Sequence, residues 1–270
     1  MQFLEKLRAG ELAVTLEITP PRKPLDEVLL RRARGLGSVA DAVNVIQRSG
    51  RQPSLDASIT LRAAGLEPVW HLVTRGRSRA EIEGEIESAA GAGIEAALCV
   101  RGETGPADRP DTPTLRETVA AVRAALPGAC LGATANQYLP PDRVLRNLGP
   151  KLSAGATFVQ TQPVLDAGSL APLAGAIRRE FAGTFVVPMV MPLLTRGDAE
   201  RIAARLRIPV PAENLARLDA DGARAGWAIF EETVRTLRAE GLADGLAIMT
   251  PQMDPPPEAA DRIAAALRSA

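Results

Sequence analysis

The sequence predicts an α/β fold in which eight strand–helix units close into a single (β/α)8 barrel. Short apolar runs alternate with longer amphipathic stretches from one end of the 270-residue chain to the other. Many of the amphipathic stretches are followed by glycine, the residue that most readily ends a helix. Strands separated by helices pair in parallel, because a parallel crossover needs a long connection. Eight such units in about 250 residues indicate a barrel of the TIM type.

The elements follow one another without interruption. The predicted strands are residues 13–18, 41–46, 68–73, 96–101, 130–135, 157–162, 185–191 and 245–250. The helical patterns are residues 25–36, 55–64, 79–90, 114–126, 141–154, 169–181, 197–206, 222–240 and 258–268. Residues 208–218 precede an additional helix, which predicts an extra helical segment between units seven and eight. No linker divides the chain, so residues 1–270 are predicted to form one domain; an open doubly wound sheet is the alternative.

The composition argues against several functional classes. Lysine plus arginine and aspartate plus glutamate number 32 each, which disfavours a dominant electrostatic attraction to nucleic acid or to an acidic membrane. No apolar run approaches the ~20 residues that span a bilayer, and the first residues lack the order of a signal peptide. Cys99 and Cys130 lie in apolar runs, which favours a reducing compartment. We therefore expect a cytoplasmic protein.

In barrels of this type the active site lies at the carboxyl ends of the strands. The polar side chains predicted there are Glu17, Thr19, Arg22, Asn44, Gln47, His71, Thr74, Arg75, Arg101, Glu103, Thr134, Asn136, Gln137, Tyr138, Gln160, Gln162, Thr250 and Gln252. This set of carboxylates, amides and cations is too polar to serve packing alone, since a buried charge without partners is very costly.

Glu17 stands near the end of the first strand, within the segment AVTLEITPPR. One interpretation is an ion pair with Arg22 or Arg101 inside the rim. The other is a carboxyl group held near apolar walls that donates a proton to a substrate. Both interpretations place Glu17 inside the barrel mouth.

Other motifs are weaker. GLGSVA at 35–40 and GAGIEA at 91–96 have dinucleotide-binding spacing, but each follows a helix and leads into a strand. The fingerprint needs the reverse order, so these are helix ends. No Cys/His cluster has zinc spacing, and His71 alone cannot anchor a metal, so no metal site is predicted.

The segments LEITPPR, DAVNV, ALCVRGE, AGATFVQTQ and RIPVP, in this order, resemble the methylenetetrahydrofolate reductase family, and the resemblance covers nearly the whole chain. It implies a barrel that reduces 5,10-methylenetetrahydrofolate to 5-methyltetrahydrofolate with electrons from a nicotinamide, in that family through FAD. By this resemblance Glu17 is the general acid that protonates N10. Gln162 and Glu103 bind the pterin, and Arg22 also binds substrate.

The resemblance assigns cofactor contacts to His71, Arg101 and Lys151, and with them Asn136 and Tyr138. Other flavin-facing positions differ from the family. Ile46 replaces a usual threonine, Val144 stands where an aspartate is usual, and the aromatic residue expected after strand seven is missing. Each polar partner lost against a flavin weakens its binding by about 1–3 kcal/mol.

Two hypotheses about electron transfer follow. Either FAD still binds through other contacts, or hydride passes directly from NAD(P)H to the activated folate, which the sequence slightly favours. A third hypothesis is a non-catalytic folate-binding subunit of a methyl-transfer complex.

The folate tail favours basic residues at the rim, with Arg75, Arg77 and Arg196 as candidates. The choice between NADH and NADPH and the oligomeric state cannot be read from the sequence.

Overall fold

The computed structural model describes residues 1–102, 106–250 and 252–269, and eight parallel strands in this part of the chain form a closed barrel. The strands are β1 (Ala13–Ile18), β2 (Ala42–Val45), β3 (Pro68–Val73), β4 (Ala96–Val100), β5 (Cys130–Ala135), β6 (Phe158–Pro163), β7 (Phe185–Val190) and β8 (Gly245–Met249). Each strand pairs with its sequence neighbours, and β8 pairs with β1. The predicted (β/α)8 barrel is confirmed, and the open-sheet alternative is wrong.

Helices connect successive strands, and one further helix precedes β1 and another follows β8. They are α1 (Gln2–Ala9), α2 (Asp26–Ala33), α3 (Ser54–Ala63), α4 (Arg79–Gly91), α5 (Leu115–Ala125), α6 (Pro141–Ser153), α7 (Ala171–Glu180), α8 (Arg196–Leu206), α9 (Ala212–Ala239) and α10 (Pro257–Ser269). Both α8 and α9 lie between β7 and β8, which confirms the predicted extra helical segment. Helix α9 bends at Gly222, whose φ of 50° and ψ of −126° interrupt the helical geometry.

Helix α1 precedes the first strand and was not predicted from the sequence. Its residues Phe3, Leu4 and Leu7 are buried, and Phe3 meets Phe158 of β6 edge to face with ring centroids 5.7 Å apart. Lys6 Nζ lies 2.6 Å from Asp41 Oδ1. Helix α1 therefore closes the amino-terminal end of the barrel with both apolar and ionic contacts.

The barrel interior changes character along its axis. Near α1 it is apolar, with Leu98 of β4 and Phe158 packed in one cluster with Phe3. Gly132 of β5 lies beside them, and a Cβ at this position would stand 2.3 Å from Phe158 Cζ. Towards the carboxyl ends the buried interior residues become polar, with Thr15, Asn44 and Gln160 all almost fully buried.

The outer faces of the strands pack against the helices in the main hydrophobic core. Both cysteines are buried, and burial raises the pKa of Cys99 to about 12 and that of Cys130 to about 11. Both thiols are therefore protonated and unreactive at neutral pH. None of the helices in the described ranges is long and apolar enough to cross a membrane.

Candidate active site

Glu17 lies one residue before the end of β1, between two neighbouring strands. It is in register with Asn44 of β2 on one side and with Met249 of β8 on the other. Successive strand residues face opposite sides, so Val14, Leu16 and Ile18 join the outer core and Glu17 shares the inner face with Thr15. The alternation of β1 therefore places the half-buried carboxylate inside the barrel mouth, between an amide and a thioether.

A chain of hydrogen bonds crosses the barrel beneath the mouth. Asn44 Nδ2 donates to Thr15 Oγ1 at 3.0 Å and to Gln160 Oε1 at 2.8 Å. Gln160 Nε2 in turn donates to Glu17 Oε2 at 3.5 Å. Because Gln160 gives its acceptor to Asn44, its amide nitrogen is directed to the Glu17 carboxylate. This chain of hydrogen bonds links β1, β2 and β6 and restricts the position of the Glu17 carboxylate.

Gln162 lies in an irregular part of β6. Between Gln160 and Pro163 this strand has one more residue than β7, because Gln160 pairs with Val187 and Pro163 with Met189. Such bulges re-aim side chains and are frequent beside active sites. Within the described residues the half-buried side-chain amide of Gln162 makes no hydrogen bond. It can therefore donate to and accept from a ligand.

The loop after β5 supports this end of β6. Gln137 Nε2 donates to the carbonyl oxygens of Gln162 and Pro163 at 3.1 and 3.3 Å, and Tyr138 Oη donates to the Pro163 carbonyl at 2.7 Å. The bulge is thereby fixed from outside the sheet. Its geometry does not depend on the Gln162 side chain.

One side of the mouth is apolar. Leu165, Met191 and Leu193 are buried in a cluster that also includes Met249 and Tyr138. Helix α8, helix α9 and the connection between them contribute the remaining residues of this cluster, so the extra helical segment covers the carboxyl end of β7. Glu17 thus has a polar network on the β2 side and an apolar wall on the β8 side.

His71, the single histidine of the chain, is buried near the end of β3. Burial lowers its pKa to about 4, so the ring is neutral at physiological pH. Its backbone N–H donates to Ser54 Oγ at 3.1 Å, and Nε2 has no hydrogen-bond partner among the described residues. No group of three or more His, Cys, Asp and Glu in the described ranges is placed to hold a metal ion.

Three other predicted cofactor residues form ion pairs or hydrogen bonds with residues of the same chain. Arg101 has an exposed side chain, and its Nη2 lies 2.8 Å from Asp108 Oδ2. Asn136 Oδ1 accepts a hydrogen bond from the backbone N–H of Tyr138 at 3.0 Å, and the Tyr138 hydroxyl donates one to the Pro163 carbonyl. These three side chains do not converge on His71 through any hydrogen bond within the described part of the chain.

Lys151 lies in the last turn of α6, close to the amino end of β6. Its carbonyl oxygen accepts the N–H of Ala156, two residues before that strand begins. Ten residues of helix, about 15 Å, separate it from Pro141 at the carboxyl end of the barrel. Burial lowers the pKa of its ammonium group. The backbone of Lys151 therefore lies almost three helical turns from the mouth end of α6.

The remaining predicted residues divide between the surface and the undescribed part of the chain. Arg22 is exposed and forms no ion pair within the described residues, and Arg101 pairs with Asp108. The ion pair predicted between Glu17 and either arginine is therefore wrong. Glu103, the predicted partner of the pterin, lies outside the described residues.

Asn44 and Gln160 were predicted to lie at strand ends, but no role was assigned to either. Thr15 was not among the predicted site residues. The structure joins all three to Glu17. The period-two alternation places Thr15 on the same face as Glu17, which is the signal for that residue. Nothing in the sequence indicates which residue of β6 would meet Asn44.

A family model for methylenetetrahydrofolate reductase matches residues 2–255. The chain belongs to the methylenetetrahydrofolate reductase family. This family match agrees with the resemblance stated from the sequence segments. A comparison with curated protein sequences found no significant match.

Solved structures similar to this family member share its fold. An uncharacterized protein from Clostridium thermocellum, described as binding two copies of 5-methyl-5,6,7,8-tetrahydrofolic acid, has a TM-score of 0.68 at 13% identity, covering 100% of this chain and 98% of its own. Tryptophan synthase from Mycobacterium tuberculosis has a TM-score of 0.54 at 15% identity, with 98% and 96% covered. At these identities the similarity shows the barrel fold alone.

Proposed function

We propose that the protein reduces 5,10-methylenetetrahydrofolate to 5-methyltetrahydrofolate with NAD(P)H as the electron donor. Family membership supports a folate substrate. The similar Clostridium thermocellum protein is described as binding the product of this reaction, which also supports a folate site in this barrel. The observation that carries the proposal is the hydrogen-bond chain that holds Glu17 in the mouth.

The proposed role of Glu17 is to protonate N10 of the folate. An amine is a poor leaving group until it is protonated, and a positioned acid contributes about 10²–10⁴-fold. The bond from the methylene carbon to N10 then breaks and leaves an N5 iminium ion. A hydride from NAD(P)H adds to the methylene carbon to form the N5-methyl group, and NAD(P)⁺ is released. One proton and one hydride are consumed for each folate.

The proposed partner of the pterin ring is Gln162. An amide can donate and accept at once, which matches the adjacent donors and acceptors along the pterin amide edge. The Gln162 amide has these groups uncommitted within the described residues, whereas Gln160 uses both of its groups on Asn44 and Glu17. The two glutamines therefore have different proposed roles, in binding and in positioning the acid.

Direct hydride transfer is proposed in preference to a flavin route, because the residues present do not fit a flavin well. Arg101, Asn136 and Tyr138 use polar groups on protein partners, and Lys151 lies near the amino end of β6. Of the five predicted cofactor residues, only His71 has a fully buried polar side-chain atom that lacks a hydrogen-bond partner in the described ranges. A polar cofactor that found so few complementary groups would bind weakly.

The role of Glu17 is tested by the variant Glu17→Gln. The amide retains the shape but cannot supply the proton, so kcat should fall by about 10²-fold or more. Binding of 5-methyltetrahydrofolate, measured by calorimetry, should stay within a few-fold. Glu27→Gln, an exposed carboxylate in the first turn of α2, serves as the matched control and should leave both quantities unchanged.

Unchanged turnover in Glu17→Gln would exclude Glu17 as the acid. If the native protein binds folate but does not reduce 5,10-methylenetetrahydrofolate with either NADH or NADPH, a non-catalytic folate-binding subunit would be supported instead. The flavin question is answered by the visible absorption spectrum of the purified protein. A colourless protein that turns over with NAD(P)H is expected, and stoichiometric FAD would overturn direct transfer.

A further inference from the structure

Arg32 of α2 joins the loop that follows β1 to the loop that follows β8. Its side chain is only 9% exposed. Nη1 donates to the Thr19 carbonyl oxygen at 2.9 Å, and Nε and Nη2 donate to Asp254 Oδ2 at 3.2 and 2.8 Å. Thr19 comes directly after β1, and Asp254 lies between β8 and α10, 222 positions after Arg32. One guanidinium group therefore holds both loops.

These two loops continue the strands that meet at the proposed acid. The pairing of β1, the first strand, with β8, the last, closes the barrel. Glu17 and Met249 are in register across this pairing. Thr19 follows Glu17 by two residues, so a shift of its carbonyl group reaches the acid through the backbone of Ile18 alone. Arg32 is therefore bonded directly beside the strand end that carries Glu17.

The β1–α2 loop is held by contacts from outside itself. Prolines occupy three of the six positions 19–24, and proline has no backbone N–H with which to bond within the loop. The first three carbonyl oxygens of the loop instead accept hydrogen bonds from other segments. The donors are Arg32 to Thr19, Arg51 Nη1 to Pro20 at 3.4 Å, and the backbone N–H of Gln52 to Pro21 at 2.9 Å. The contact nearest to Glu17 is that of Arg32.

The neighbouring Arg31 provides an internal comparison. Its Nη2 lies 3.0 Å from Asp254 Oδ1, but its side chain is 63% exposed and makes no hydrogen bond to Thr19 within the described part of the chain. The hydrogen bond from Arg32, and after it the bond from Arg31, lowers the pKa of Asp254. Asp254 is therefore ionised at neutral pH. Two adjacent arginines share this carboxylate, and the buried one continues to the loop after Glu17.

We infer that Arg32 is a positioning residue, which holds the end of β1 so that the Glu17 carboxylate faces N10 of the folate. This inference rests on the proposed function. Arg32 acts through the Thr19 carbonyl and needs no contact with the substrate. Asp254 fixes the plane of the guanidinium group, because two of its nitrogens bond to one carboxylate. A misplacement of about 1 Å can lower a reaction rate about 10²-fold.

Arg32→Met tests this inference, because methionine fills part of the same space and makes none of these hydrogen bonds. We expect kcat for reduction of 5,10-methylenetetrahydrofolate to fall about tenfold, since the contacts of Arg51 and Gln52 still limit the displacement. Binding of 5-methyltetrahydrofolate and the KM of NAD(P)H should change by less than about twofold. A purely structural residue would instead weaken binding and turnover together.

Two further variants separate the roles of the partners. Arg31→Met is the matched control: it removes a pair with the same carboxylate and should change kcat by less than about twofold. Asp254→Ala leaves Arg32 in place without its anchor, in a partly exposed loop where the change should not prevent folding. Its kcat should fall about two- to fivefold, with folate binding unchanged.

The outcomes distinguish this inference from the proposed function. An unchanged kcat in Arg32→Met, or in Asp254→Ala where Arg32→Met does not fold, would overturn the positioning role and leave the reductase proposal intact. Equal losses of kcat and of folate binding in Arg32→Met, or an equal loss of kcat in Arg31→Met, would overturn it as well. Absence of turnover by the native protein with both NADH and NADPH would refute both.

Discussion

Asn44 of β2 and Gln160 of β6 meet across the barrel, with 2.8 Å between Nδ2 of the first and Oε1 of the second. The contact joins residues 116 positions apart in the chain. It also sets the orientation of the Gln160 amide, because the oxygen that faces Asn44 leaves the nitrogen facing Glu17. Asn44 can thus act on the proposed acid through the Gln160 amide.

Gln160→Met should reduce both stability and activity. Methionine has a similar volume but makes neither of the two hydrogen bonds of Gln160. The Asn44 amide nitrogen would then keep its bond to Thr15 and lose its second acceptor. We expect the free energy of unfolding to fall by about 1–3 kcal/mol in urea titrations. We expect kcat/KM to fall about tenfold, which corresponds to about 1.4 kcal/mol of transition-state stabilisation.

Gln162→Met, two residues along the same strand, is the matched comparison and should show the reverse pattern. Its amide has no protein partner among the described residues, so stability should change by less than about 0.5 kcal/mol. Folate affinity should fall about tenfold through the lost pterin contacts. Equal effects of the two variants on stability would contradict the different roles assigned to them.

Histidine-linked stability should depend on His71 alone, because the chain contains one histidine. Burial lowers its pKa to about 4 in the folded protein, from about 6.5 in an unfolded chain, so the unfolded chain binds the proton more readily. The stabilisation is fully present above pH ~6.5 and is lost as pH falls towards about 4. At about pH 5.5 the free energy of unfolding should be about 1.4 kcal/mol lower than at neutral pH.

Carboxylates contribute little to this interval, since most titrate at lower pH. Denaturant titrations at the two pH values measure the difference, and His71→Gln removes the titrating group. The variant should lose most of the pH dependence between about pH 7 and 5.5. A slope that persists in His71→Gln would show that another group is responsible.

Gly132→Ala should destabilise the protein by about 1–3 kcal/mol through overpacking of the barrel interior. The added methyl carbon would lie 2.3 Å from Phe158 Cζ and 2.7 Å from Leu98 Cδ1, and Phe158 is itself held by Phe3. Gly84→Ala is the control, since this helix-interior position has nothing within 4 Å and alanine should stabilise it by about 0.5–1 kcal/mol. Thermal unfolding should move the two midpoints in opposite directions.

Lys6→Met should loosen helix α1. The Asp41 side chain is almost fully buried and, among the described side-chain contacts, would keep the N–H of Val14, 2.8 Å from Oδ2. Because Lys6 is partly exposed, we expect a loss of about 1–3 kcal/mol rather than the full cost of breaking a buried pair. Lys23→Met, an exposed lysine without a described partner, should be nearly neutral. Hydrogen exchange of the α1 amides should accelerate in the first variant alone.

Local patterns were sufficient to predict most of the barrel. Strands β1, β3 and β5 have the predicted bounds, and each of the others differs by one residue at one end or at both. Buried parallel strands are short apolar runs, and the helices that cover them have strong amphipathic patterns and glycine ends. These signals are contained within each segment.

Features that depend on distant partners could not be predicted in this way. Helix α1 is eight residues long, and its position depends on Phe158 and Asp41, far along the chain. The bulge in β6 is defined only against β7. In the site, Glu17 was identified by its polarity in an apolar strand, whereas Gln160 acquired a role only when β6 was placed opposite β2. Lys151 was assigned by resemblance, and its place in the last turn of α6 depends on how that helix packs on the barrel.

The contact across the barrel has a consequence for how the chain can be divided. Glu17, the proposed acid, and Asn44 come from the first two strands, and Gln160 and Gln162 come from the sixth. A fragment that stops after β4 would carry a carboxylate with no amide opposite it, and the complementary fragment would carry the reverse. The proposed activity should therefore require the complete eight-stranded barrel. When two separately produced halves are mixed, turnover should return together with formation of the closed barrel.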